Sequence, residues 1–223
     1  MKPKVESVEN YYHRFEFPGG VKLYPLGYLE QLQPLRQVNV RHGGTIKSKG
    51  KTSIQYESRG EKKEIYRMLK ILKAESIKTQ VLELITPSGK RFYPDLISQL
   101  ADGTILVAEV KHVLDFLWVD VIEKYQTMIA YCKENGYGCA LTDGKWRDFR
   151  FLQKGGTIHF MTVVEWFEKV IQTKGFFTLK DLRQRYPEEK YWPTLVSYCL
   201  LHGYHTNVSF RHPAWEIRVQ SKR

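Results

Sequence analysis

Residues 105–110 are apolar but for Glu109, and in a strand successive side chains alternate between faces, so Ile105, Val107 and Glu109 share one face, with Lys111 next in that series, while Leu106, Ala108 and Val110 take the other. A run rich in branched and aromatic residues, 91–100, precedes it across Asp102-Gly103, which together read as a β-hairpin. The loop length decides what the hairpin carries. A two-residue loop sets Asp95 opposite Val110, whereas a three-residue loop, Ala101 to Gly103, pairs Asp95 with Glu109 on one face. The spacing favours the longer loop, because loops ending in Gly are common there.

Around this hairpin the periodicity changes. Residues 56–73 are helical by pattern, with Ile65, Met68, Leu69 and Leu72 in one apolar stripe. At about 100° per residue, Glu61 projects within that stripe, Glu57 at its edge and Glu64 well to its side. Residues 77–85 read as a strand and Thr86-Pro87-Ser88-Gly89 as a tight turn. Val121, Ile122, Tyr125, Met128, Ile129 and Cys132 recur at helical spacing over 116–134, and Asn135-Gly136 ends that helix. Residues 138–142 form a short apolar run, expected as a buried strand parallel to an earlier one and closed by Asp143-Gly144. Helix, three antiparallel strands, helix and returning strand predict an α/β layer fold with one mixed sheet.

The flanks differ in texture. Residues 1–55 are rich in Pro, Gly and cations and read as a basic N-terminal arm, in which Arg36, Arg41, Lys47, Lys49 and Lys51 could meet phosphates or remain solvated. Beyond the core at 56–153, residues 154–223 predict three helices: 160–171, then 179–186 with Thr178 as its N-cap, then 191–201 with Pro193 in its first turn. Residues 205–219 are expected as a two-stranded wing containing Arg211, His212, Trp215 and Arg218. The set resembles a winged helix, a module that serves either a DNA groove or a protein partner.

Composition narrows the partner class. Thirty-five Lys and Arg against 24 Asp and Glu leave a net charge of +11 over 223 residues, which suggests a polyanion such as nucleic acid. No run of eighteen apolar residues and no signal-peptide pattern is present, so a cytoplasmic chain, without a membrane partner, is expected. Cys132, Cys139 and Cys199 have no zinc spacing and read as reduced, buried thiols.

An acid and a lysine two residues apart at the end of an apolar strand are costly to bury without a partner, and a divalent cation is one such partner. Glu61 has two readings: a third acid at that cation, or a first-turn carboxylate that favours the helix dipole. Pro94-Asp95 followed by Glu109-Val110-Lys111 on a hairpin resembles the PD-(D/E)xK nuclease superfamily, whose core has the element order predicted here.

Adding Ser48-Lys49, Tyr56-Glu57-Ser58, Glu61, Gln80, Tyr93, Asp102-Gly103, Lys124-Tyr125 and Leu141-Thr142, residues 35–150 look like the TnsA family, endonuclease subunits of heteromeric transposases with a C-terminal winged-helix region. The chain departs at Thr79-Gln80-Val81, where that family often carries Glu-Gln-Pro.

The resemblance implies a Mg²⁺-dependent endodeoxyribonuclease, with Mn²⁺ as substitute, acting on double-stranded DNA. It would cleave the 5′, non-transferred strand at transposon ends in a bacterial nucleoid. A DDE transposase subunit and an AAA+ ATPase regulator would be its partners. Asp95, Glu109 and the Val110 carbonyl would hold the metal, Glu61 a second ion or its water. Lys111 would position the attacking water and stabilise the phosphate, while Lys124 would hold a phosphate nearby, with Gln126 beside it. A restriction-type endonuclease, a junction resolvase, or a non-catalytic DNA-binding assembly protein on the same core are the alternatives.

Overall fold

The computed structural model describes residues 15–36, 43–47, 53–145 and 147–218. The chain divides into two compact units, the first within Met1–Val110 and Lys124–Trp146, the second within Lys111–Glu123 and Arg147–Arg223.

In the first unit a hairpin of β1, Gly44–Lys47, and β2, Ser53–Tyr56, turns Ile46 and Ile54 inward as a cross-strand pair. Helix α1, Arg59–Lys70, starts at Ser58, whose hydroxyl accepts the Glu61 N–H at 3.1 Å. Strand β3, Ser76–Thr79, is shorter than the periodicity predicts: Gln80 adopts φ 52°, and that left-handed residue ends the pairing. Strands β4, Leu84–Ile85, and β5, Arg91–Phe92, form a small hairpin of their own. Strands β6, Leu96–Gln99, and β7, Ile105–Val110, then helix α2, Val119–Asn135, which belongs to this unit from Lys124 on, and strand β8, Gly138–Thr142, complete the set.

The main sheet has the order β3-β6-β7-β8, antiparallel except for the parallel β7/β8 pair. It is an α/β arrangement with one mixed sheet flanked by helices. Ile65 and Met68 of α1 pack with Leu96, Leu106, Ala108 and Val110, the even-numbered face of the central strands. On the odd-numbered face Cys132 of α2 meets Cys139 of β8, and this hydrogen bond, with burial, pushes the Cys132 thiol well above its ordinary value.

Described residues of the segment expected as an arm join this core. Phe15 and Leu29 are buried, Glu16 exchanges two 2.8 Å backbone hydrogen bonds with Cys139, and Leu23 bridges Thr104. The basic composition of 1–55 concealed these few apolar anchors.

The second unit holds a 3-10 turn, Val113–Leu117, then α3, Phe149–Gln153, α4, Met161–Lys174, β9, Phe176–Thr178, α5, Leu179–Arg185, α6, Trp192–Leu201, and β10, Glu216–Arg218. Thr178 caps α5 and closes a capping box with Asp181. The stretch 205–219 differs from the expected wing. Its strand β10 pairs with β9, burying Phe177 against Ile217, and turns occupy the residues before it. Helix α6 falls within one residue of the expected 191–201. Eight of its ten residues are buried, and Ser197 and Thr194 donate to the backbone of Leu152 and Thr157. The helix packs against α3 and the 3-10 turn. Its sequence, WPTLVSYCLL, contains no charge to offer a phosphate.

Candidate active site

The β6–β7 hairpin turns through Ala101, Asp102 and Gly103. The Gly103 N–H donates to Leu100 O at 3.0 Å, and the Leu100 N–H to Thr104 O at 2.9 Å. Asp102 Oδ1 accepts the Thr104 N–H at 2.9 Å, an Asx turn that stiffens the loop. Gly103 sits at φ 88°, and a Cβ there would fall 2.4 Å from Tyr24 O, so only glycine fits. This three-residue loop pairs Leu96 with Ala108, and therefore sets Asp95 across from Glu109.

The two acids brace each other's strands. Asp95 Oδ2 accepts the Val110 N–H at 2.8 Å, and Glu109 Oε2 accepts the Asp95 N–H at 3.2 Å. Asp95 is 8 % exposed and Glu109 5 %. Each of these bonds uses one oxygen of its carboxylate. Burying two acids at the end of a sheet, on the face that carries Ile97 and Val107, costs solvation, which a divalent cation would offset. A pair of hard carboxylate oxygens beside a strand-end carbonyl suits Mg²⁺, which is held by one or two carboxylates and otherwise keeps water or phosphate oxygens.

Glu61 is engaged at the start of α1. Glu61 Oε2 accepts the Glu57 N–H at 2.8 Å, closing the first turn of α1 in the manner of a capping box. Helix α1 covers the even-numbered face, whereas Asp95 and Glu109 belong to the odd-numbered one. Among the described residues no three His, Cys, Asp or Glu side chains converge to hold an ion. Glu61→Gln keeps an oxygen for the Glu57 N–H. We expect it to shift stability by less than about 1 kcal/mol and to leave metal-dependent nicking within about threefold, less than about 0.7 kcal/mol in barrier. A loss as deep as that of an Asp95 variant in the same plasmid assay would return Glu61 to the ligand set.

The remaining predicted residues fall as follows. Val110 ends β7, and Lys111 follows it in the chain as the first residue of the second unit. Lys124 is half-buried on α2, with Gln126 exposed, and Lys47 is exposed at the end of β1. Arg41, Lys49 and Lys51 lie outside the described residues.

Glu64, projected to the side of the stripe, is instead 1 % exposed and paired with Arg67 at 2.6 Å, and Arg67 also donates to Gly144 O at 3.2 Å. Helix α1 meets the ends of the parallel strands closely: a Cβ on Gly60 would stand 3.0 Å from Val110 Cγ1, and one on Gly144 2.7 Å from the Gly60 Cα. The signal for this contact was the Asp143-Gly144 pair, whose glycine takes φ 67°. No family model matches the chain, and no curated protein is significantly similar to it.

Proposed function

We propose that the protein is a metal-dependent endonuclease acting on double-stranded DNA. The observation that carries this reading is the reciprocal bracing of Asp95 and Glu109 at the end of the β6–β7 hairpin, Asp95 to the Val110 N–H and Glu109 to the Asp95 N–H. Asp95, Glu109 and the carbonyl of Val110 would hold Mg²⁺, or Mn²⁺ in its place. A bound ion of this kind lowers the pKa of its water and draws charge from a phosphoryl oxygen.

The chain's own groups do the rest. Backbone hydrogen bonds fix both carboxylates before any ligand arrives, so little reorganisation opposes binding. Lys111, next after Val110, carries an ammonium suited to orient water and to offset charge growing on the phosphate. Glu61 contributes through the start of α1, which packs against Val110 through Gly60.

The resemblance to the TnsA family adds the specific setting: cleavage of the 5′ strand at transposon ends, at the nucleoid, alongside a DDE transposase and an AAA+ ATPase. The order α4-β9-α5-α6-β10 suits a winged-helix-like unit, and with α6 covered this reading assigns duplex contact to the first unit. No helix among the described residues is long and apolar enough to cross a membrane.

Isothermal titration of the full chain with Mn²⁺ tests the site without requiring any partner. Saturable uptake that disappears in Asp95→Asn is expected, together with nicking of plasmid DNA in Mg²⁺ or Mn²⁺ that EDTA stops. Absence of acid-dependent uptake would overturn the reading and favour a non-catalytic assembly protein on the same core.

A further inference from the structure

The β4–β5 hairpin has no part in the main sheet, and its two faces differ. Leu84 and Phe92 are a buried cross-strand pair, whereas Ile85 and Arg91, the other pair, face outward at 57 % and 69 % exposure. The connecting turn is stiff. Gly89 N–H donates to Thr86 O at 2.8 Å, Thr86 N–H to Lys90 O at 2.9 Å, and Lys90 N–H to Thr86 Oγ1 at 3.1 Å. Between Leu84 and Pro94 the sequence has Lys90 and Arg91 and no acid. The preceding residue in the chain, Glu83, accepts the Tyr93 hydroxyl at 2.5 Å and forms an exposed ion pair with Arg91 at 3.7 Å.

Position gives this hairpin its meaning. Arg91 precedes Asp95 by four residues, a span of at most about 14 Å. Along one DNA strand, where phosphates advance about 3.4 Å per nucleotide, that distance is about four nucleotides. A rigid, cationic, two-stranded ribbon at that distance from paired acids has the shape and charge to follow a duplex flank.

We propose that the Leu84–Phe92 hairpin grips the phosphate backbone of duplex DNA within about four nucleotides of the scissile bond, through Lys90 and Arg91. The inference rests on the nuclease reading above and adds to it the element that holds the substrate next to the acids.

The test is binding of the full chain to a fluorescein-labelled duplex by anisotropy, in Ca²⁺, across roughly 50 to 200 mM salt. The Lys90→Ala/Arg91→Ala variant should flatten the plot of log affinity against log salt by about 1.8, two phosphates at about 0.9 each. The charge-preserving Arg91→Lys should keep the wild-type slope, which separates lost charge from a damaged hairpin. Metal uptake at Asp95 should persist in all three proteins. An unchanged slope in the double alanine variant, with wild-type binding and metal uptake intact, overturns the hairpin's role alone. Failure of the wild-type chain both to bind duplex and to take up metal overturns the endonuclease reading and this inference together.

Discussion

Asp95→Asn should abolish metal-dependent nicking while the protein remains folded and still binds duplex DNA. The substitution is nearly isosteric, and the asparagine oxygen can accept the Val110 N–H that Asp95 Oδ2 accepts at 2.8 Å. What disappears is the negative charge. A neutral amide is a poor ligand for a hard divalent cation, and Glu109 is left as the only carboxylate of the braced pair. Loss of nicking by at least about 10² to 10³-fold is expected, the range seen when one preorganised electrostatic group is removed from an active site.

Stability supplies a second readout. In EDTA the variant should unfold within about 1 kcal/mol of wild type, because a weaker hydrogen bond is offset by the smaller solvation cost of burying a neutral amide. Added Mn²⁺ at a hundred times its dissociation constant should stabilise wild type by about 2.7 kcal/mol and the variant hardly at all. Equal nicking, or an equal metal-induced rise in melting temperature, would remove Asp95 from the proposed centre.

The register that creates this pair was legible in the sequence because one residue controlled it. Gly103 had to take a left-handed conformation, and a loop of Ala101, Asp102 and Gly103 placed it where that conformation is needed. The parallel return of β8 was legible from a run apolar on both faces. For Glu61 the sequence leaves two readings. A helical projection shows which side of α1 faces inward, but not which face of the sheet that side will cover, and the acids lie on the other face.

Glu64 was missed because its partner, Arg67, counts as polar in any periodicity, so two mutually satisfying charges look like a solvated edge. The third C-terminal helix was legible as an element, expected over 191–201 and found as Trp192–Leu201, and its lack of any charge fits its burial. Anchors such as Phe15 and Leu29 are single apolar residues in a polar stretch, and no period marks them.

Arg67→Met should destabilise the first unit by about 3 to 5 kcal/mol, the typical cost of removing one member of a buried ion pair. Glu64, 1 % exposed, would lose the guanidinium that meets it at 2.6 Å, and Gly144 O would lose its 3.2 Å donor. Methionine fills a similar volume, so the penalty would arise from charge rather than from a cavity. The control is Glu64→Leu/Arg67→Met, which removes both charges and should recover most of the loss, since hydrophobic replacement of a whole buried pair is commonly neutral or stabilising. Urea unfolding with an unchanged m-value reads both effects.

The pair also binds α1 to the loop after β8, where Gly60 and Gly144 approach too closely for any side chain. The single variant should therefore loosen the start of α1, and hydrogen exchange at Glu61 and Lys62 should accelerate relative to the sheet interior. A cost below about 1 kcal/mol, with protection at those two amides unchanged, would mean that the Glu64–Arg67 pair is not what fixes this helix to the end of the parallel strands.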